Sequence, residues 1–213
     1  MIQKRKLTCC ICFQKLYHDN SLHSLFSFSS ILCEKCLKQF KIIHKYENIL
    51  GIETLFLYEY NAFLKKLIYQ YKGCYDLELK DVFFFQFKKE IQKKYKGYII
   101  VYPPSNESED KQRGFRHIEQ MVSCLHLPSI HLFFKKEAFK QSSQSFSKRK
   151  EIQNILQMNT KNLLLNQKYL IVDDIYTSGF TLKTLIQLLV QHRIPKENIK
   201  ALILSKTAEF VEL

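Results

Sequence analysis

Two adjacent aspartates, Asp173 and Asp174, precede a small-residue run, Thr177-Ser178-Gly179-Phe180-Thr181, that is suited to holding a sugar phosphate. Hydroxyls and an uncrowded glycine backbone suit the phosphate. Ionised carboxylates only accept hydrogen bonds, so the aspartates suit ribose hydroxyls or a hydrated magnesium ion. Upstream, Tyr169-Leu170-Ile171-Val172 has the length and branching of a buried parallel strand. Downstream, Leu182, Leu185, Ile186, Leu188 and Leu189 recur at helical spacing. The turn thus joins a strand's carboxyl end to a helix's amino end, the crevice where open α/β sheets bind ligands and where free N–H groups favour an anion. The competing reading is a buried strand running into a helix merely capped by Thr181.

A second constellation lies near the amino end. Cys9-x-x-Cys12 and Cys33-x-x-Cys36 are two knuckles at the spacing of a four-thiolate zinc site. Four thiolates leave no open coordination position, so such a zinc would be structural, and it would supply much of the folding free energy of a module with little apolar patterning. A register using Cys10 is conceivable, and His18, His23 and His44 are substitutes of lower standing. Cys74 and Cys124 read as core residues.

The elements that must position these groups alternate between strand and helix. Residues 54–58 read as a strand, and Phe63, Leu64, Leu67, Ile68 and Tyr71 as an amphipathic helix closed by Lys72-Gly73. A second helix is expected over 79–95, with Leu79, Val82, Phe83, Phe87 and Ile91 on one side. Residues 98–102 form another buried-strand candidate, ended by Pro103-Pro104-Ser105. A polar loop, Arg113-Gly114-Phe115-Arg116, a helix carrying Ile118, Met121, Val122 and Leu125, and a short strand near 130–134 follow. The basic stretch 135–150 comes next, and residues 200–204 read as the last strand. Such alternation implies a mostly parallel sheet.

With 213 residues, 46% of them hydrophobic, the chain has material for one substantial domain and a small module, which excludes an intrinsically disordered protein. Lys4-Arg5-Lys6 is followed by cysteines and polar residues, so no secretory leader is read there. No apolar run reaches the roughly 18 residues of a membrane span. The expected setting is the cytoplasm, without membrane insertion. A formal net charge of +13 predicts attraction to polyanions, nucleic acid or an acidic membrane surface.

The run 169–181 resembles the PRPP-binding motif of type I phosphoribosyltransferases, although Phe180 is bulkier than the residue usual there. Together with the paired CxxC knuckles, Tyr58, Tyr60, Lys72-Gly73, Tyr102-Pro103-Pro104, Arg113-Gly114-Phe115, Lys140-Gln141-Ser142 and Arg149, the whole chain resembles the ComF family. Arg116-His117 stands where that family more often has Asn-Gln. The resemblance implies a four-cysteine zinc module over 1–48 and a type I phosphoribosyltransferase-like α/β domain over 49–213. It implies PRPP with magnesium held by Asp173, Asp174 and residues 177–181, and pyrophosphate cradled by Pro104 and Ser105 with Arg113 or Arg149 closing over it. It further implies a role in natural transformation, with single-stranded DNA and a competence helicase as partners. Whether ribose phosphate is transferred to an acceptor, or the pocket serves a non-catalytic adaptor as sensor or relic, stays open at this point.

Overall fold

The computed structural model describes residues 8–16, 31–135 and 156–207. Seven strands, β1 (Ile42–Ile49), β2 (Ile52–Glu59), β3 (Tyr98–Val101), β4 (Phe133–Lys135), β5 (Leu156–Met158), β6 (Lys168–Tyr176) and β7 (Ile199–Lys206), form two sheets. The larger has the order β1-β2-β7-β6-β3. Its last four strands are mutually parallel, and β1 closes one edge antiparallel to β2. Strands β4 and β5 make a separate antiparallel ribbon.

Six α-helices accompany them among the described residues: α1 (Glu34–Leu37), α2 (Ala62–Gly73), α3 (Lys88–Lys94), α4 (Glu107–Arg113), α5 (His117–Val122) and α6 (Phe180–Gln191). None is long and apolar enough to cross a membrane. The sheet is covered on both faces, which is why β6 reads as an unbroken apolar run. Strand alternation sends Tyr169 and Ile171 to a core built with Leu182, Leu185, Ile186 and Leu189 of α6. Leu170 and Val172 join the opposite core, with Leu64, Leu67, Ile68 and Tyr71 of α2. The outcome is the α/β, mostly parallel architecture implied by the sequence, carrying a four-cysteine cluster near its amino end.

The helix expected over 79–95 is broken. A 3₁₀ turn at Leu77–Asp81 and a run of turns lead into α3, which starts only at Lys88. Val82, Phe83 and Phe84 are all buried, and three consecutive residues cannot share one face of a helix, so the segment bends to seat each side chain. The polar loop before Arg113 is instead α4. Asn106 caps it by accepting the Ser108 N–H at 3.0 Å, acidic residues occupy its first turn, and Gly114 ends it in the left-handed region. Cys124 is a core residue, whereas Cys74, at the end of α2, is exposed. Strand β1 runs across residue 48, and Cys9, Leu32, Cys36 and Phe40 belong to the same core as Tyr58 and Leu64.

Candidate anion-binding turn and four-cysteine centre

Between the end of β6 and the start of α6 the chain needs only Thr177, Ser178 and Gly179. Gly179 takes φ 70°, and a Cβ placed there would run into the ring and hydroxyl of Tyr176. Glycine is therefore required twice over, by backbone conformation and by space. The Phe180 N–H lies 3.4 Å from Ser178 Oγ, and Gly179 O accepts the Lys183 N–H at 2.9 Å to start α6. Thr177 and Ser178 are exposed, Phe180 and Thr181 half-buried. The first-turn N–H groups of a 12-residue helix thus face an open, hydroxyl-lined turn, an arrangement that favours an anion.

Asp174 is 7% exposed, and its carboxylate pairs with Lys72 Nζ at the end of α2. Ser205 Oγ donates to the Asp174 carbonyl at 2.8 Å, and Asp173 Oδ1 accepts the Asp174 N–H at 2.9 Å. Burial works to raise the Asp174 pKa, but the Lys72 ammonium overrides it and holds the carboxyl below its ordinary range. Asp173, with no ion pair among the described residues, is pushed well above that range by burial and by the charge of Asp174. The pair is therefore divided. Asp174 is committed to Lys72, and Asp173 is the carboxyl without an ion pair among the described residues.

Lys72 reads as the close of a helix and as part of the family resemblance, and its ion pair with Asp174 is the role that sequence reading missed. Its signal was present: Leu64, Ile68 and Lys72 stand at i, i+4 and i+8, so a lysine occupies the buried stripe of α2. Arg113 is likewise buried, its side chain 6% exposed. Its Nε donates to Lys72 O at 3.1 Å, one terminal nitrogen lies 3.3 Å from both Asp110 Oδ1 and His117 Nδ1, and the other reaches Glu109 at 3.4 Å. Asp110 also accepts from Ser105 Oγ. Lys72 thus has polar contacts at both ends, its ammonium with Asp174 and its carbonyl with Arg113, which continues through Asp110 to Ser105. Pro104 and Ser105 line a cleft of about 900 Å³ with Lys111, Arg116 and Lys135, and no residue of 173–181 lines it. Arg149 and the Lys140-Gln141-Ser142 segment lie outside the described residues, as do His18 and His23.

At the amino end, the sulfurs of Cys9, Cys12, Cys33 and Cys36 all lie within 4.8 Å of one another, with Cys12 and Cys33 3.6 Å apart. Tetrahedral bonds of about 2.3 Å put thiolates about 3.8 Å apart, so the four fit a metal such as zinc. Burial opposes ionisation of Cys9, yet the N–H groups of Cys12, Cys33 and Ile11 directed at its sulfur bring its pKa down to about 6. Cys36 is raised by burial and by the crowding sulfurs. Cys10 stands outside the cluster, its N–H bonded to Ile31 O at 2.9 Å, and His44 is occupied by Glu90 at 2.9 Å and stacked on Phe87.

Fold and site together define an α/β protein with an anion-favouring strand-to-helix turn and a four-thiolate centre. No family model matches the chain. It is 28% identical over 187 residues to Competence protein ComFC of Streptococcus pneumoniae, a match covering 84% of this chain and 81% of that protein. It is 29% identical over 132 residues to Competence protein ComFC of Bacillus subtilis, covering 59% of this chain and about half, 53%, of that relative. Among solved structures, adenine phosphoribosyltransferase from Saccharomyces cerevisiae overlays at a TM-score of 0.39 with 15% identity, covering 79% of this chain and 85% of that one. A hypoxanthine phosphoribosyltransferase from Staphylococcus aureus overlays at 0.35 with 16% identity, covering 60% and 61%. Both overlays are partial.

Proposed function

We propose that the β6–α6 turn binds PRPP, and that the chain is a phosphoribosyltransferase-like protein of DNA uptake. The observation carrying this reading is the turn itself: residues 169–181 make a parallel strand, an acidic pair and a glycine-kinked hydroxyl loop at the amino end of a helix. In this reading the 5′-phosphate would sit on residues 177–181 and the ribose hydroxyls would meet the acidic pair, Asp173 more directly because Asp174 is held by Lys72; a magnesium ion bound there would offset the charge of the pyrophosphate. Pro104 and Ser105 serve the pyrophosphate, beside Lys111, Arg116 and Lys135 of the same cleft, and Arg149 is proposed to close over it. The four cysteines hold a structural zinc in a module over 1–48, and residues 49–213 form the ligand-binding domain.

The likeness to two competence proteins supports a role in DNA uptake. A cytoplasmic setting and a competence helicase as partner belong to the same proposal. The charge of +13 supports single-stranded DNA as a second ligand. The alternative is binding without turnover, as in a non-catalytic adaptor that keeps the pocket as a sensor or relic. Mixing the chain with PRPP, magnesium and cytosolic metabolites and assaying released pyrophosphate separates the two. Release marks a transferase, and a magnesium-dependent rise in melting temperature with PRPP and no release marks the adaptor; the absence of both responses contradicts the proposal.

A further inference from the structure

Strand β1 is an open edge of the larger sheet, paired to β2 on one side and to no described strand on the other. Large apolar side chains crowd this edge: Ile42, Ile43, Tyr46 and Leu50 are 52%, 36%, 40% and 42% exposed. An edge strand presents a row of unpaired N–H and C=O groups, which proteins either blunt or pair. No proline blunts β1.

The hairpin fixes which peptide groups point outward. Leu50 and Gly51 form a two-residue turn with φ of 54° and 87°, and the Gly51 N–H donates to Asn48 Oδ1 at 2.7 Å. Ile49 and Ile52 flank that turn as a hydrogen-bonded pair, so alternation turns the peptide groups of Glu47, opposite Thr54, and Lys45, opposite Phe56, inward as well. Tyr46 and Asn48 therefore direct their N–H and C=O away from β2. Toward the amino end the register shifts between Ile42 and Lys45, where His44 takes φ 39°, so the regular edge is short.

Charge selects how a second copy fits this edge. Lys45 and Glu47 share one face of the strand, with Lys45 Nζ 3.1 Å from Glu47 Oε1, and Lys206 of β7 anchors Glu47 at 2.8 Å. In a two-fold antiparallel pairing centred on Tyr46, each Tyr46 faces the Tyr46 of the other copy as a hydrogen-bonded pair, and Lys45 of each copy stands directly opposite Glu47 of the other. The four charges then alternate in sign around a square. Centring on Lys45 or on Glu47 would oppose like charges, and centring on Asn48 would leave Lys45 opposite Gly51. On the other face Lys94 Nζ stands 3.8 Å over the Tyr46 ring and pairs with Glu53, which holds the central tyrosine in place.

We propose that two copies of this chain associate through β1, antiparallel and centred on Tyr46, joining their five-stranded sheets edge to edge. Main-chain hydrogen bonds supply the affinity, and the paired Lys45 and Glu47 side chains set the register. Because the pairing is antiparallel, the parallel strands of the two copies run in opposite directions. The two β6–α6 turns therefore open at opposite edges of the joined sheet. The interface does not depend on PRPP.

Sedimentation velocity of the full chain from about 1 µM to about 1 mM, the span of weak association, reads the dimer directly. The wild type is expected to dimerise reversibly within that span. Lys45→Glu and Glu47→Lys each set like charges opposite one another and should weaken the dimer at least about tenfold. An equimolar mixture of the two variants should recover association, because every cross-strand pair is then of opposite sign. Tyr46→Pro removes the central outward N–H, leaves the bonds to β2, and should abolish the dimer in a chain of unchanged circular dichroism. Should Glu47→Lys fail to fold, Tyr46→Pro and Lys45→Glu decide. A wild type monomeric throughout, a dimer undiminished in Lys45→Glu or Tyr46→Pro, or a mixture of folded variants no stronger than its components would overturn the proposal.

Discussion

Lys72 and Asp174 form an ion pair that joins the end of α2 to the end of β6, directly beneath the candidate turn. An uncompensated carboxylate at this depth is costly, and removing one member of a buried pair typically costs about 3–5 kcal/mol. Lys72→Met is therefore expected to lower the urea midpoint strongly. Adding Asp174→Asn to that variant should restore a large part of the loss, because it removes the stranded charge. A double-mutant cycle measures both, and an additive result would contradict the pairing.

Gly179 and Tyr176 define the second expectation. Gly179→Ala meets two obstacles, the left-handed backbone and the Tyr176 ring. It should destabilise the chain by about 1–3 kcal/mol, the usual range for such backbone strain. Tyr176→Ala in the same chain should relieve only the steric share. Full recovery would mean that φ costs nothing here.

Much of this site was legible in the sequence, for identifiable reasons. Branched apolar residues at 169–172 and the leucines of α6 have periods that survive in any context, so strand, turn and helix could be read directly. The cysteine spacing selected Cys9, Cys12, Cys33 and Cys36 in the same way. Lys72 and Arg113 were not assigned their observed roles, because both act through tertiary contacts, with partners 102 and 41 positions away in the cases of Asp174 and the Lys72 carbonyl. The break at 82–87 escaped because three consecutive buried residues fit no single helical face. The cap on α4 is local, and Asn106 with Gly114 was a readable signal in a stretch taken as loop.

Metal removal should reach beyond the cysteines. Cys9 and Cys36 are buried in the core that also holds Tyr58 and Leu64, and Phe40 packs edge-on against Phe63 at 5.1 Å. Chelation is expected to lower the melting transition of the whole chain. A loss of about 3 kcal/mol would shift it by roughly 6–12 °C. Calorimetry with and without a chelator decides, and a main transition left in place would show that the cysteine centre stabilises only its own segment.

His117 sets an acid limit. Burial, with Lys72 and Arg113 adding to it, lowers its pKa from 6.5 to about 3, and its Nδ1 lies 3.3 Å from Arg113 as a neutral acceptor should. The unfolded chain binds this proton first. The contribution is therefore fully present above about pH 6.5 and is lost progressively as pH falls toward 3. Urea midpoints at pH 7, 5.5 and 4.5 should decline in the wild type and decline less in His117→Gln. Equal slopes would remove His117 as the cause.

Titration calorimetry with PRPP and magnesium tests whether residues 173–181 hold PRPP. Saturable, magnesium-dependent binding by the wild type is expected. That binding should be strongly weakened in Asp173→Asn, which leaves the Lys72–Asp174 pair intact, and weakened in Thr177→Val with Thr181→Val, in chains whose circular dichroism is unchanged. No heat of binding in the wild type, or undiminished binding in the folded aspartate variant, would contradict PRPP binding there.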